Sequence, residues 1–153
     1  MKTDKDIVQI AENRRARHNY EIEDTFECGM VLLGSEVKSV RAHHLSFADA
    51  YALIKNSEVF MIGLRIEKYK LSTHDNVEPD RTRKLLLHRK EISRIERILH
   101  NKKATLVPLK IYIKTGRVKV LIGIGIGKNK QDKRDTIKDR EGKIEIARVL
   151  KRG

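Results

Sequence analysis

The strongest constraint on the fold is a set of short apolar runs in which every second residue is polar. The clearest is KIYIKTGRVKVLIGIG, residues 110–125. Its alternation places Lys110, Lys114, Arg117 and Lys119 on a solvent-facing side, as in strands with one wet face. Lys114-Thr115-Gly116 supplies the turn between two β-branched runs. The stretch 105–125 therefore predicts an antiparallel hairpin, and Pro108 predicts that its first strand starts or lies at an edge.

The same period of two appears earlier in the chain. Residues 20–22 and 26–30 alternate apolar and polar side chains and predict two further strands. Residues 49–66 predict a second hairpin, because two apolar runs flank the turn residues Asn56-Ser57. A helix competes for AYALI, but the β-prone run VFMI after the turn favours the hairpin.

Helical patterns are few. Isoleucines and a leucine recur at helical spacing in residues 89–100 and predict an amphipathic helix. Ser35 is a candidate N-cap for a short helix over EVKSVRA. Residues 1–12 are expected to be a frayed lead-in, and residues 67–83 a polar loop that ends in the basic cluster RTRK.

These elements predict a mainly β fold with flanking helices, a small antiparallel barrel of the oligonucleotide-binding type. The chain contains three Phe, four Tyr and no Trp. That number is small for stacking single-stranded bases, and it favours recognition of nucleic acid by shape and backbone phosphates.

Charge indicates the class of partner. Lys and Arg total 34 against 21 Asp and Glu, so the net charge is +13 and the pI is about 10.0. Such an excess attracts polyanions, of which nucleic acid is the commonest. One cysteine, Cys28, permits no intrachain disulfide and no cysteine-based zinc site. The sequence shows no signal peptide and no run of about 20 apolar residues, so we expect a cytoplasmic, soluble protein.

Motifs for chemistry are weak. GIGIGK, residues 123–128, has neither P-loop nor dinucleotide-fingerprint spacing, and its glycines are typical of a strand that allows close approach. The six histidines form no i, i+4 pair on a predicted helix. Asp75, Glu78 and Asp80 cluster in a polar loop. The sequence thus predicts no catalytic residue, metal or cofactor, and a metal-dependent nuclease acting through these three acids is the enzymatic alternative.

The C-terminal segment is highly charged. Residues 127–153 hold ten Lys or Arg and five Asp or Glu, a net +5, which leaves +8 for residues 1–126. At 100° per residue the early part of the segment sorts its charges by helical face. The acids Asp132, Asp135 and Asp139 share one side, and the other side carries Lys130, Lys133, Arg134, Ile137, Lys138 and Arg140. We therefore expect a barrel domain, 1–126, and a tail, 127–153, that is disordered when free and folds on a polyanion.

Four stretches in matching order resemble one family. They are NRRARHNYEIEDTFECGMVLLGSEVKSVRA, DRTRKLLLHRKEI, TLVPLKIYIKTGRVKV and DKRDTIKDRE. Together they resemble the SsrA-binding protein family, also called small protein B, from about Asn13 to the C-terminus. The resemblance implies the fold already predicted from the patterns, an oligonucleotide-binding-like barrel with a basic tail.

The resemblance also implies a function. Such proteins bind the tRNA-like domain of transfer-messenger RNA, support its charging by alanyl-tRNA synthetase, and help deliver it with elongation factor Tu to stalled ribosomes. The tail occupies the empty messenger channel of the small subunit and becomes helical there, and the nascent chain is tagged for degradation. The protein is then not an enzyme. We expect it to act as a monomer away from membranes.

The resemblance assigns residues to two sites. The RNA-binding set on the barrel is Asn13, Arg14, Arg17, His18, Glu27, Lys38, Arg41, Arg83, Lys84, Leu86 and Lys119. The ribosome-binding set on the tail is Gly127, Lys128, Lys130, Gln131, Asp132, Lys133, Arg134, Ile137, Lys138 and Arg140. Core packing is the alternative for Leu86. Glu27 is an acid on a basic surface, where it would repel phosphate and accept hydrogen bonds from base or ribose groups.

Some positions depart from the family pattern. Gln131 replaces a usual histidine, Ile126 and Ile144 replace basic residues, and His43-His44 replaces a common Gly-Lys. The alternative to this function is a ribosomal or rRNA-associated binding protein with a basic extension. Selectivity for a tRNA-like RNA over bulk rRNA separates the two.

Overall fold

The computed structural model describes residues 6–71 and 77–128. This part of the chain forms nine strands and three helices. In chain order they are β1 (Ile7–Glu12), α1 (Arg14–Asn19), β2 (Tyr20–Met30), α2 (Gly34–Arg41), β3 (Leu45–Ser46), β4 (Tyr51–Lys55), β5 (Glu58–Ile62), β6 (Arg65–Ile66), β7 (Arg83–Leu86), α3 (Arg89–Asn101), β8 (Thr105–Lys114) and β9 (Arg117–Gly127).

Antiparallel pairing closes six strands into a ring. The order is β8-β4-β5-β7-β2-β9, and β9 pairs with β8 to close the ring. Strand β1, which is not part of the ring, also pairs with β8. The inner face is apolar and includes Cys28, Val59, Ile111 and Ile122, all fully buried, and α3 packs Ile95 against the same core. The predicted fold class, a mainly β, oligonucleotide-binding-like barrel with flanking helices, is confirmed.

Both predicted hairpins are present, and each is closed by a two-residue turn. Thr115 and Gly116 join β8 to β9, and Asn56 and Ser57 join β4 to β5. All four residues have positive φ between 50° and 78°. Such turns match the right-handed twist of a two-residue hairpin. The predicted helix over 89–100 is confirmed as α3.

Several expectations were wrong. Residues 7–12 are not a frayed lead-in but strand β1, paired with β8. Residues 20–30 form one strand with a bulge between Ile22 and Asp24, not two strands. α2 begins at Gly34, so Ser35 is not its N-cap; the Glu36 carboxylate instead accepts the Leu33 N–H at 2.9 Å.

The predicted loop over 67–83 extends one residue too far, because Arg83 begins strand β7. Pro108 lies inside β8, at a bulge before Lys110. There β8 changes neighbours, from β4 at Leu106 to β1 at Lys110. Asn13 bonds to β8 where its neighbouring strand changes: its backbone N–H donates to the Leu109 carbonyl at 2.8 Å, and its Nδ2 donates to the Pro108 carbonyl at 2.9 Å. The missing N–H of a proline is tolerated at such a position.

Candidate nucleic-acid interface

One outer row of the barrel brings together residues far apart in sequence. The register aligns Leu86 of β7, Gly29 of β2, Lys119 of β9 and Tyr112 of β8 across four strands. Strand alternation turns the side chains of Leu86, Lys119 and Tyr112 outward, since the neighbouring residues on each strand belong to the core. Leu86 is 52% exposed, so it is not a core residue. We call Glu27, Leu86, Lys119 and Tyr112 the outer row surface.

Glu27 lies beside this row, two residues before Gly29. Its Oε2 accepts a hydrogen bond of 2.5 Å from the Tyr112 hydroxyl, and both carboxylate oxygens lie 3.3 Å from Lys114 Nζ. The hydrogen bond from Tyr112, aided by Lys114 and Lys119, holds the pKa of Glu27 below its usual value, although burial works against this. Glu27 is therefore an ionised acceptor fixed on a basic surface.

Helix α1 borders the same surface. Asn13 caps it by accepting the Ala16 N–H at 3.2 Å. Ala16 packs on Val107 and Leu109, and Leu121, the cross-strand partner of Glu27, packs against that cluster. Arg14, Arg17 and His18 are exposed along the helix. Four residues of the predicted set, Asn13, Arg14, Arg17 and His18, thus lie in or just before α1, on the flank of this surface.

Lys38 and Arg41 lie on α2. Arg41 Nη2 donates to the Gly116 carbonyl at the β8–β9 turn, over 3.3 Å. Lys38 Nζ lies 5.5 Å from the centre of the Tyr69 ring, a cation–π contact. Arg41 thus contacts the hairpin turn between Lys114, the last residue of β8, and Arg117, the first residue of β9.

Two neighbours in β7 have opposite environments. Lys84 is about half exposed and forms an ion pair with Glu58. Arg83, by contrast, has no exposed surface, and its guanidinium donates to Glu36 and to the Leu64, Arg81 and Pro79 carbonyls. Arg83 thus joins β7 to α2 in the interior and does not lie on the exposed basic surface.

Reasoning from the sequence missed Tyr112 as a member of the surface. The alternation of KIYIK indicates that Tyr112 is on the same side of β8 as Lys110 and Lys114. Its contact with Glu27 depends on the pairing of β2, β9 and β8, which no local pattern gives. Tyr112 is 9% exposed, with burial and Glu27 both raising its pKa.

The tail and one predicted acid lie largely outside the described residues. Gly127 and Lys128 are described, at the end of β9 and just after it. The other members of the predicted ribosome-binding set lie outside the described residues; they are Lys130, Gln131, Asp132, Lys133, Arg134, Ile137, Lys138 and Arg140. Asp75 is also outside it, while Glu78 and Asp80 are exposed. Within residues 6–71 and 77–128 no three His, Cys, Asp or Glu side chains are grouped to hold a metal ion. The same residues include no helix long and apolar enough to cross a membrane.

A closed ring of strands with a basic outer surface, an ionised acceptor and an exposed leucine defines a small RNA-binding barrel protein. Comparison with known proteins then identifies the family. The family described as "SmpB protein" matches residues 10–152. The chain belongs to this family, which confirms the resemblance found in the sequence.

Individual relatives agree over nearly the whole chain. An SsrA-binding protein of Limosilactobacillus reuteri (strain DSM 20016) is 49% identical over 142 residues, which cover 93% of this chain and 90% of the relative. One of Streptococcus pneumoniae serotype 4 is also 49% identical, covering 93% and 92%. A solved structure described as "tmRNA-SmpB: a journey to the center of the bacterial ribosome" matches with a TM-score of 0.67 and 45% identity, over 80% of this chain and 87% of the solved one.

Proposed function

We infer that the protein binds the tRNA-like domain of transfer-messenger RNA and acts in trans-translation, the rescue of stalled ribosomes. The observation that carries this is the outer row surface. Three residues assigned from family motifs, Glu27, Leu86 and Lys119, come from three strands and meet on one exposed face. Family membership and the ribosome complex among the similar structures support the same function.

The surface suits RNA held by a few polar anchors and backbone contacts. Lys119, with Arg14 and Arg17 on the α1 flank, supplies cations for phosphates. Glu27 accepts hydrogen bonds from ribose hydroxyls or base N–H groups, and Leu86 offers an apolar contact. Asn13 contributes by fixing the start of α1. Lys38, Arg41 and Lys84 extend the basic surface, and His18 lies at its α1 edge.

The remaining parts of the scheme rest on the family resemblance. Residues 127–153 enter the vacant messenger channel of the small subunit, where their charge-sorted face becomes helical against rRNA phosphates. The protein works as a cytoplasmic monomer, with elongation factor Tu and alanyl-tRNA synthetase as indirect partners. It catalyses no reaction itself and needs no cofactor.

The test compares two double variants with equal charge changes. Glu27→Ala with Lys119→Ala removes one acid and one base from the surface, and we expect roughly tenfold weaker binding to a transcript of the tRNA-like domain. Glu67→Ala with Arg65→Ala makes the equivalent change at an exposed ion pair elsewhere and should leave binding near wild type. Sequencing the RNA that copurifies identifies the natural ligand. Equal affinities for both variants, or copurification of rRNA alone, would contradict the proposal.

A further inference from the structure

Tyr112 is an unusual member of the outer row surface because its ring is buried while its hydroxyl is directed at an exposed acid. The side chain is 9% exposed, and it is flanked along β8 by the core residues Ile111 and Ile113. The hydroxyl donates to Glu27 Oε2 over 2.5 Å. A phenylalanine would fill the same space, so the hydroxyl adds this one contact.

The carboxylate of Glu27 keeps capacity for another donor. A carboxylate has about four lone-pair positions. Tyr112 takes one on Oε2, and Lys114 Nζ is shared between the two oxygens at 3.3 Å each. The Glu27 side chain is 36% exposed, so a ligand on the surface can reach the acceptor positions that remain.

A fixed acid on a basic surface selects among RNA groups. Phosphates are repelled by the carboxylate, whereas ribose 2′-hydroxyls and base N–H groups donate to it. A glutamate side chain has three rotatable bonds and loses rotamer freedom when a ligand immobilises it. If it is already held in the free protein, that loss does not weaken RNA binding.

We propose that Tyr112 is a positioning residue for RNA recognition, whose hydroxyl holds the Glu27 carboxylate so that its free lone pairs face a ribose 2′-hydroxyl or base N–H donor. This rests on the RNA surface proposed above. Tyr112 itself, buried beneath the surface, acts through Glu27. Lys114 Nζ, 3.3 Å from both oxygens, is a second contact that holds the carboxylate and favours its ionised form.

The experiment is a double-mutant cycle of Tyr112→Phe and Glu27→Ala, measured as affinity for the transcript of the tRNA-like domain. Tyr112→Phe keeps the packing and removes the hydroxyl. We expect roughly tenfold weaker binding in the wild-type background and no further loss in the Glu27→Ala background. The salt dependence of binding should not change, since no phosphate contact is lost. Tyr51→Phe, on β4, is the matched control and should bind as wild type.

A second readout does not depend on RNA. Carbon NMR titration of the free protein should show the pKa of Glu27 rising in Tyr112→Phe but not in Tyr51→Phe, because the donor that lowers it is gone. A merely structural tyrosine would leave this pKa unchanged.

The outcomes separate this inference from the proposed function. If Glu27→Ala binds normally, the proposed surface fails and this inference with it. If Glu27→Ala weakens binding but Tyr112→Phe does not, only the role of Tyr112 is overturned. The same holds if Tyr112→Phe weakens binding by the same factor in the wild-type and Glu27→Ala backgrounds. Transcripts with single 2′-deoxy nucleotides, or with bases lacking an exocyclic amine, identify the donor: substitution of the donor should weaken wild type and spare Glu27→Ala. If every such substitution is additive with Glu27→Ala, the inference is wrong.

Discussion

At the scale of single residues, Arg81 and Arg83 converge on the buried carboxylate of Glu36. Arg81 donates to both of its oxygens, at 2.5 and 3.0 Å, and Arg83 Nε donates at 2.8 Å. The network joins α2 to the first residue of β7 and to Arg81 just before it, although Glu36 and Arg83 are 47 residues apart. Glu36 keeps one arginine when the other is removed, but the buried acceptors that the lost guanidinium satisfied are left without a donor, which is costly.

Arg83→Met should lower the free energy of unfolding by about 1–3 kcal/mol, measured by urea denaturation, because the Leu64 and Pro79 carbonyls lose their donor while Glu36 keeps Arg81. Lys84→Met, one residue away and exposed, should cost no more than about 1 kcal/mol. RNA binding should show the reverse order. Lys84→Met should reduce the slope of log affinity against log salt concentration by about one, and folded Arg83→Met should keep the wild-type slope. A stable Arg83→Met protein with a reduced slope would return Arg83 to the RNA surface.

Glu36 also gives stability a pH dependence. Burial acts to raise its pKa, but hydrogen bonds from Arg81, the Leu33 N–H and Arg83 outweigh burial and lower the pKa from 4.5. A lowered folded pKa means that the stabilisation is complete above the unfolded value and is lost as pH falls through the folded value. Urea midpoints should therefore decrease below about pH 4.5. Glu36→Gln should be less stable at pH 7, and its urea midpoint should change less with pH below pH 4.5 than that of wild type. If the midpoint of Glu36→Gln falls as steeply as wild type, other acids cause the effect.

At the scale of elements, the glycines of β9 explain how β2 and β8 pack around it. A Cβ on Gly123 would lie 2.8 Å from Leu109 Cδ1 and 2.9 Å from Ile22 Cγ2, and one on Gly125 would lie 2.8 Å from Tyr20 Cβ. Each distance is shorter than real Cβ contacts. The alternation GIGIG thus lets outer-face side chains of β2 and β8 cross directly over β9, beside α1.

Gly123→Ala should destabilise the barrel by about 1–3 kcal/mol, since it overpacks a filled space. Gly34→Ala is the matched control, because nothing lies within 4 Å of its Cβ position and residue 34 is helical. There alanine should be neutral or stabilising by up to about 1 kcal/mol. Thermal unfolding measures the difference in stability between the two variants. Equal midpoints would show that Leu109 and Ile22 move aside at no cost when residue 123 has a Cβ.

Elements with local signals were predictable from the sequence, and elements that depend on distant partners were not. The two hairpins carry both alternation and turn residues, and α3 carries a helical period. β1 has no clean alternation and exists as a strand because β8, about 100 residues later, pairs with it. β7 is four residues long and starts at an arginine, whose burial depends on Glu36. Family motifs gave Glu27, Leu86 and Lys119, but their common face follows only from the register.

At the scale of the whole molecule, charge is divided between two regions with different proposed tasks. Residues 1–126 carry +8 and residues 127–153 carry +5. The outer row surface lies entirely in the first region, and β9 ends at Gly127. The boundary between barrel and tail stays a prediction, because residues 129–153 lie outside the described part.

Truncation after Gly127 tests whether RNA binding and ribosome rescue separate at this boundary. The truncated protein should stay folded, because the inner faces of the ring are filled by residues before Gly127. It should bind the tRNA-like transcript within a few-fold of wild type, since the outer row surface is intact. It should fail to support tagging on stalled ribosomes in a purified translation system, because nothing occupies the messenger channel. Loss of RNA binding on truncation would instead place the tail in the RNA interface.

A single substitution then distinguishes a tail that folds in the channel from one that acts only as an electrostatic tether. Ile137→Pro leaves the charge unchanged and costs about 3 kcal/mol or more within a helix. If the tail must become helical, tagging should fall by tenfold or more at limiting protein, since about 1.4 kcal/mol is already tenfold. Asp139→Asn, on the acidic side of the helical wheel, is the control and should tag nearly as wild type. A tether depends on net charge and not on backbone conformation, so it would leave Ile137→Pro at wild-type tagging and Asp139→Asn, which is one unit more positive, at or above wild type. Wild-type tagging by Ile137→Pro would therefore rule out folding of the tail as a step in rescue.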